Sequence, residues 1–241
     1  MGEEKHITDL DLVDERITER FRLKKKVNLL ISVMIAILGV LTMYMSFFVD
    51  QGEAMCRYLT INGTIFTMAG SFVFIIANLY EYTTEKEITG AFVYYVRLSC
   101  AVTEAVIMLV VLLAWVMGDE SGLNKWDVVL MHVVIPVLTV FSFITNDAPI
   151  GIVPPLKRFC CTAFITVYCI VILFLFGSGT LPMDLIPYSY IDWRVVPVWQ
   201  IVCYAVLLYT IAFGIATILY WLNRKLSWLW FRNLTAEAPA K

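Results

Sequence analysis

Charge is what this chain has least of: charged residues make up 16% of its 241 positions, and the formal net charge is -2. So small a balance does not suggest a nucleic-acid partner, and none is expected. Histidine is scarcer still, with two copies, His6 and His132. A lone histidine inside an apolar run has no second ligand at metal-binding spacing, so neither a metal nor another cofactor is expected. The six cysteines (Cys56, Cys100, Cys160, Cys161, Cys169 and Cys203) lie mostly in apolar runs. A thiol there behaves as a small hydrophobe, and no disulfide framework is expected. No cleavable signal is expected either: residues 1–26 are charged throughout, with no short apolar core before a small-residue cleavage site.

What is abundant is hydrocarbon. Hydrophobic residues reach 60% and mean hydropathy +0.79, far from a soluble domain. Six apolar runs, at 27–49, 57–79, 91–117, 128–145, 158–177 and 196–222, each approach or exceed the ~20 residues of a spanning helix. The expected fold is therefore all-α: a polytopic membrane protein, a bundle of six transmembrane helices. A cytoplasmic arm, 1–26, precedes the transmembrane domain, 27–222, and a short tail, 223–241, follows it. In the arm, Leu10, Val13, Ile17 and Phe21 recur at helical spacing and lead into Arg22-Leu23-Lys24-Lys25-Lys26. That pattern fits a helix lying on anionic lipid, and equally a solvated arm whose lysines only set topology. Lys and Arg gather before the first run and after every second one, which places both termini in the cytoplasm, and the cell membrane is the expected location. Pro136 is expected to tilt or kink the fourth run.

This alternation assigns depth. The second and fourth runs enter from the same face, so Thr60 and His132 each lie about one turn in, at one level. An ionisable side chain at that depth reads as functional. A neutral imidazole within reach of a threonine hydroxyl can take its proton and later return it to a leaving group. The plain alternative is a threonine bonded to its own i-4 carbonyl, and Thr64, Thr67, Thr103 and Thr139 compete for the role. The loop from Gly177 to Val195, rich in proline and aromatics, is expected to form a packed cap over this level.

Arg57-Tyr58-Leu59-Thr60 resembles the Lys/Arg-(Tyr/Phe)-Leu-Thr segment of the androgen-induced and androgen-dependent TFPI-regulating membrane proteins. Met131-His132-Val133-Val134-Ile135-Pro136 is similar to that family's Met-His-Thr-x-x-Leu-Pro segment, with Val133 in place of threonine. Ile186-Pro187-Tyr188-Ser189-Tyr190-Ile191-Asp192 resembles a variant of its Tyr-Pro-Phe-Leu motif. The likeness follows the order of the spans and extends to a prokaryotic branch, the Pr6Pr membrane proteins. It implies a multi-span threonine hydrolase acting on fatty acid esters of hydroxy fatty acids, with Thr60 and His132 as the catalytic pair and a membrane lipid as substrate.

Around that pair, Asn62 and Thr64 are candidate donors to a developing oxyanion. Asp192 is a candidate third member orienting His132, or a cap on the last span. Tyr58, Tyr188 and Tyr190 are candidates to line an acyl-chain entrance, or belong to an aromatic belt. Glu104, mid-span, reads as structural, as a relay, or as a partner of Arg97. Gly63, Thr67 and Gly70, small residues at helical spacing, read as a close helix contact rather than a catalytic feature. Two other functions stay open: an acyltransferase using the same pair, and a non-enzymatic transporter or sensor. Oligomeric state is not legible.

Overall fold

In the computed structural model, residues 9–50, 57–84, 90–116, 125–146, 152–182, 185–188 and 191–236 are described, and among them the chain is helical with no strand. Helix α1 (Asp9–Met45) continues into a π-helical turn, Ser46–Asp50; α2 is Leu59–Thr84 and α3 is Ala91–Val116. Helix α4 covers 126–146 in three parts: Trp126–Val129, a π-helical turn Leu130–Val134, and Ile135–Asn146. A short α5 (Pro155–Cys160) precedes α6 (Ala163–Gly177), and α7 is Val198–Ala236.

Five of these helices are long and apolar enough to cross a membrane: Arg22–Phe48, Leu59–Thr84, Ala91–Leu113, Trp126–Thr145 and Val198–Leu229. The protein is a multi-pass membrane protein. The fifth apolar run is interrupted. Its main piece, α6, has 15 residues, roughly 22 Å of helix and short of a ~30 Å hydrocarbon core. The break lies at Cys161 and Thr162, where side-chain hydroxyls bond to the backbone. Ser99 on α3 donates its hydroxyl to the Cys161 carbonyl at 2.7 Å, and Thr162 Oγ1 turns back to the Phe159 carbonyl at 2.7 Å. At the two ends, the helices overrun the expected boundaries. Arm and first span form one helix, since no glycine or proline separates residues 9–38. Lys25 anchors that helix to the end of α2 through Glu81 at 3.0 Å. The last helix likewise runs beyond position 222 to Ala236.

Helix α3 is the hub: Leu98, Ala101, Val102, Thr103 and Glu104 are all fully buried. Tyr94, Leu98, Val102 and Val106 pack on Phe143 of α4, Ile165 of α6, and Ala212, Ala216 and Tyr220 of α7. Alanines on α7 let the two backbones approach, as small residues do between membrane helices. The contact with α2 is closer still: a methyl added at Gly63 would lie 2.5 Å from Ile107 Cδ1, and one at Gly70 would lie 2.8 Å from Cys100 Sγ. The outward faces are apolar, with Phe72, Ile76, Leu113, Val137 and Phe174 exposed, as lipid requires. Polar side chains point in. Arg97 donates to Asn28 Oδ1 at 2.6 Å and Ser142 Oγ at 2.7 Å, Ser142 also donates to Asn28 at 2.6 Å, and the guanidinium lies 4.5 Å from the centre of the Phe74 ring. This network ties α1, α3 and α4 together. Beside it is a cavity of about 10 Å³ lined by Ser32, Thr67, Ser71, Arg97, Thr139 and Ser142, among others, room for about one water.

Candidate active site

Thr60 is the second residue of α2, and the start of that helix is clamped by two tyrosines. The Tyr188 hydroxyl accepts the Leu59 N–H at 3.0 Å, and the Tyr168 hydroxyl donates to the Arg57 carbonyl at 2.6 Å. Tyr188 also meets Tyr58 edge to face, with ring centroids 6.1 Å apart. Leu181, Leu185, Ile186 and Ile191 pack with Tyr188 and Leu59 on Tyr168, Ile172 and Phe176 of α6, so the described part of the 178–195 segment folds down over the beginning of α2. Burial there pushes the Tyr188 phenol up from its ordinary range. Below Thr60, Ile61 joins Met43 and Met131 in an apolar floor.

His132 belongs to the π-helical turn of α4, where the Ile135 N–H bonds to the Leu130 carbonyl, five residues back. Pro136 accounts for the altered register. It has no N–H for the His132 carbonyl, and its ring crowds that oxygen; a wider turn relieves both. The ring of His132 is then held at both nitrogens. Nδ1 lies 2.8 Å from the Val128 carbonyl. A carbonyl can only accept, so Nδ1 carries the proton and Nε2 presents a lone pair. Facing that lone pair at 3.2 Å is Thr60 Oγ1, whose hydroxyl donates to it. Both side chains are half-buried. The arrangement is that of a hydroxyl poised to lose its proton to a base of fixed tautomer.

The surrounding residues divide. Asn62 turns its amide back to the Tyr58 carbonyl at 2.8 Å, away from an oxyanion. Thr64, one turn beyond Thr60, is fully buried, and its hydroxyl has no hydrogen-bond partner. Asp192 is not a third member of the pair. Its carboxylate grips Arg194 through Nε at 2.9 Å, Nη2 at 2.7 Å and the backbone N–H at 3.0 Å, while the Val128 carbonyl does the orienting of His132. Arg194 holds the Asp192 carboxyl below its ordinary range, and the Asp192 carbonyl accepts the N–H groups of Val195 and Val196 at the entry to α7. Tyr58 is half-buried at the rim, with the Arg57 guanidinium 5.2 Å from its ring centre; Tyr190 lies outside the described residues. Glu104 is fully buried, neither oxygen has a hydrogen-bond partner, and Arg97 bonds to Asn28 and Ser142 instead. Among the described residues no group of three or more His, Cys, Asp and Glu side chains could hold a metal ion.

Two contributors escaped the sequence reading. Tyr168 was visible only as a lone tyrosine in an apolar run, and the Val128 carbonyl carries no side-chain signal. No protein-family model, no curated protein and no solved structure matches this chain.

Proposed function

We propose that this chain is a six-span lipid-ester hydrolase of the cell membrane, in which α5 and α6 together make the fifth crossing, with both termini cytoplasmic and the Thr60–His132 pair beneath the outer surface. The observation that carries the reading is the His132 ring: one nitrogen bonded to the Val128 carbonyl at 2.8 Å, the other accepting from Thr60 at 3.2 Å. Motif resemblance supports the same two residues and names the substrate type, a fatty acid ester of a hydroxy fatty acid.

In the proposed reaction Thr60 Oγ1 attacks the ester carbonyl carbon as His132 Nε2 takes the hydroxyl proton. The C–O bond to the alcohol breaks, and the imidazolium returns that proton to the departing oxygen. A water molecule then loses a proton to Nε2 and attacks the acyl-threonine, which releases the fatty acid and restores the Thr60 hydroxyl. Oxyanion stabilisation falls to the Thr60 and Ile61 N–H groups in the first turn of α2, because Tyr188 takes the Leu59 N–H and the Tyr58 carbonyl takes that of Asn62.

A fluorophosphonate probe on purified protein tests this. Labelling is expected in wild type and lost in both Thr60→Ala and His132→Ala with unchanged melting temperature. Labelling that survives Thr60→Ala moves the nucleophile elsewhere; none in wild type removes the enzyme reading and favours a transporter or sensor. Product analysis with and without an acceptor alcohol separates hydrolysis from acyl transfer.

A further inference from the structure

Three residues ahead of Thr60 stands a cation whose donors are not used. Arg57 is half-buried, and its Nε and Nη1 atoms are buried with no hydrogen-bond partner. Its Nη2 makes one long bond, 3.4 Å, to the Tyr58 hydroxyl. Two described ion pairs, Lys25–Glu81 and Arg194–Asp192, use carboxylates on other elements, and Asp192 is held by its own neighbour. A guanidinium withdrawn from water without an anion is costly. The local structure nevertheless fixes it in place: Tyr168 holds its carbonyl, Tyr58 its flank, and Tyr188 the next turn of backbone. Conversely, an unpaired guanidinium at this position is pre-organised for an oxyanion, because a planar fork of donors matches carboxylate and phosphate oxygens.

We propose that Arg57 forms a carboxylate-binding subsite at the mouth of the Thr60–His132 pair, which selects lipid esters that carry a free acid group. This rests on the hydrolase reading for the identity of the ester, but the anion site itself does not require turnover. A bilayer phosphate offers the same oxyanion chemistry. The substrate source is preferred because the unused donors are buried at the start of α2, one turn from the reacting hydroxyl, and do not project to the surface.

The test is equilibrium binding of radiolabelled oleate to purified protein in non-ionic detergent, above the pH at which oleate is ionised. Unlabelled methyl oleate and dioleoyl phosphatidate serve as competitors. Wild type and Thr60→Ala are expected to bind oleate alike, whereas Arg57→Gln binds about tenfold more weakly or worse. Arg57→Lys keeps the charge without the fork and falls between. Neither competitor displaces oleate. Equal binding by Arg57→Gln overturns the subsite, and so does displacement by methyl oleate, an observation that needs only the wild type. Displacement by phosphatidate assigns Arg57 to the bilayer and also overturns it. Oleate binding without any turnover of an ester would sink the hydrolase reading and leave the anion site standing.

Discussion

Gly63→Ala probes how the packing of α2 on α3 sets the distance between the reactive side chains. The added methyl would sit 2.5 Å from Ile107 Cδ1 and 3.1 Å from Thr103 Cγ2, against a comfortable separation of about 3.5–4.0 Å. The Ile107 δ-methyl can swing aside. Thr103 cannot do so freely, since a β-branched side chain in a helix has few rotamers, so α2 itself must retreat by several tenths of an ångström. Overpacking of this kind costs about 1–3 kcal/mol, and at about 2–4 °C per kcal/mol for a chain of this size the melting temperature falls by a few degrees. Function suffers more than stability. Thr60 lies one turn from Gly63, and its 3.2 Å bond to Nε2 has little slack before it ceases to be one. The assay pairs thermal melting in detergent with the rate of fluorophosphonate labelling, on Gly63→Ala, Ile107→Val and the double variant. Removing the δ-methyl should relieve the clash, so the double variant is expected to melt higher than the sum of the single effects implies. A Gly63→Ala protein that melts and labels like wild type refutes the argument, as does strict additivity with Ile107→Val.

Pro136→Ala restores an N–H for the His132 carbonyl and lets the π-helical turn relax to α-helix. The imidazole then swings away from Thr60, and labelling is expected to drop by about a hundredfold with no loss of melting temperature; unchanged labelling would show that the proline does not set the turn. Asn28→Ala withdraws the acceptor shared by Arg97 and Ser142, and should destabilise the fold by about 1.5–3 kcal/mol, whereas Asn28→Asp keeps an acceptor and is expected to melt close to wild type. For Asp192, Arg194 lowers the folded-state value below the unfolded one, so the stabilisation is complete above about pH 4 and disappears as pH falls through the lowered value. The melting difference between wild type and Asp192→Asn should therefore be constant from neutral pH down to about 4 and close below it; a gap that widens in acid contradicts the pairing.

The apolar runs outlined the helices because in lipid every backbone group must bond within its own segment, so length and hydropathy suffice to find them. The common level of Thr60 and His132 followed from alternation alone: two helices starting at one end place early residues together whatever their sequence separation. What stayed hidden depended on partners. The interruption before α6 coincides with a bond from the Ser99 hydroxyl on a different helix, a partner that the run 158–177 does not announce. Pro136 announced a distortion, but not that it would take the form of a π-helical turn at His132. Asp192 was legible as a carboxylate near the right loop, yet Arg194 two positions on was the nearer claim, and a local pair outcompetes a distant one because it closes almost no loop. Glu104 and Arg97 share α3 and opposite charge, but seven residues separate them and Asn28 and Ser142 reach the guanidinium first.

Three supports of the Thr60–His132 geometry are carried by the main chain. A carbonyl orients the ring, a change of helical register aims it, and a glycine lets α2 close on α3. Triads in water-exposed clefts commonly give the orienting task to a carboxylate, which also stabilises the imidazolium. Inside a bilayer that carboxylate is expensive to bury unless it is paired, whereas a peptide carbonyl fixes the tautomer without adding a charge. The exchange has a kinetic consequence in the proposed reaction. A neutral dipole stabilises positive charge less than a full anion at the same distance, so the imidazolium formed with the tetrahedral intermediate is less well supported here. The barrier must then be lowered chiefly by the first turn of α2 and by prior alignment of hydroxyl and ring. In the proposed reaction, rigidity at Tyr168, Tyr188 and Gly63, none of which takes part in the proton transfers, is therefore expected to affect the rate.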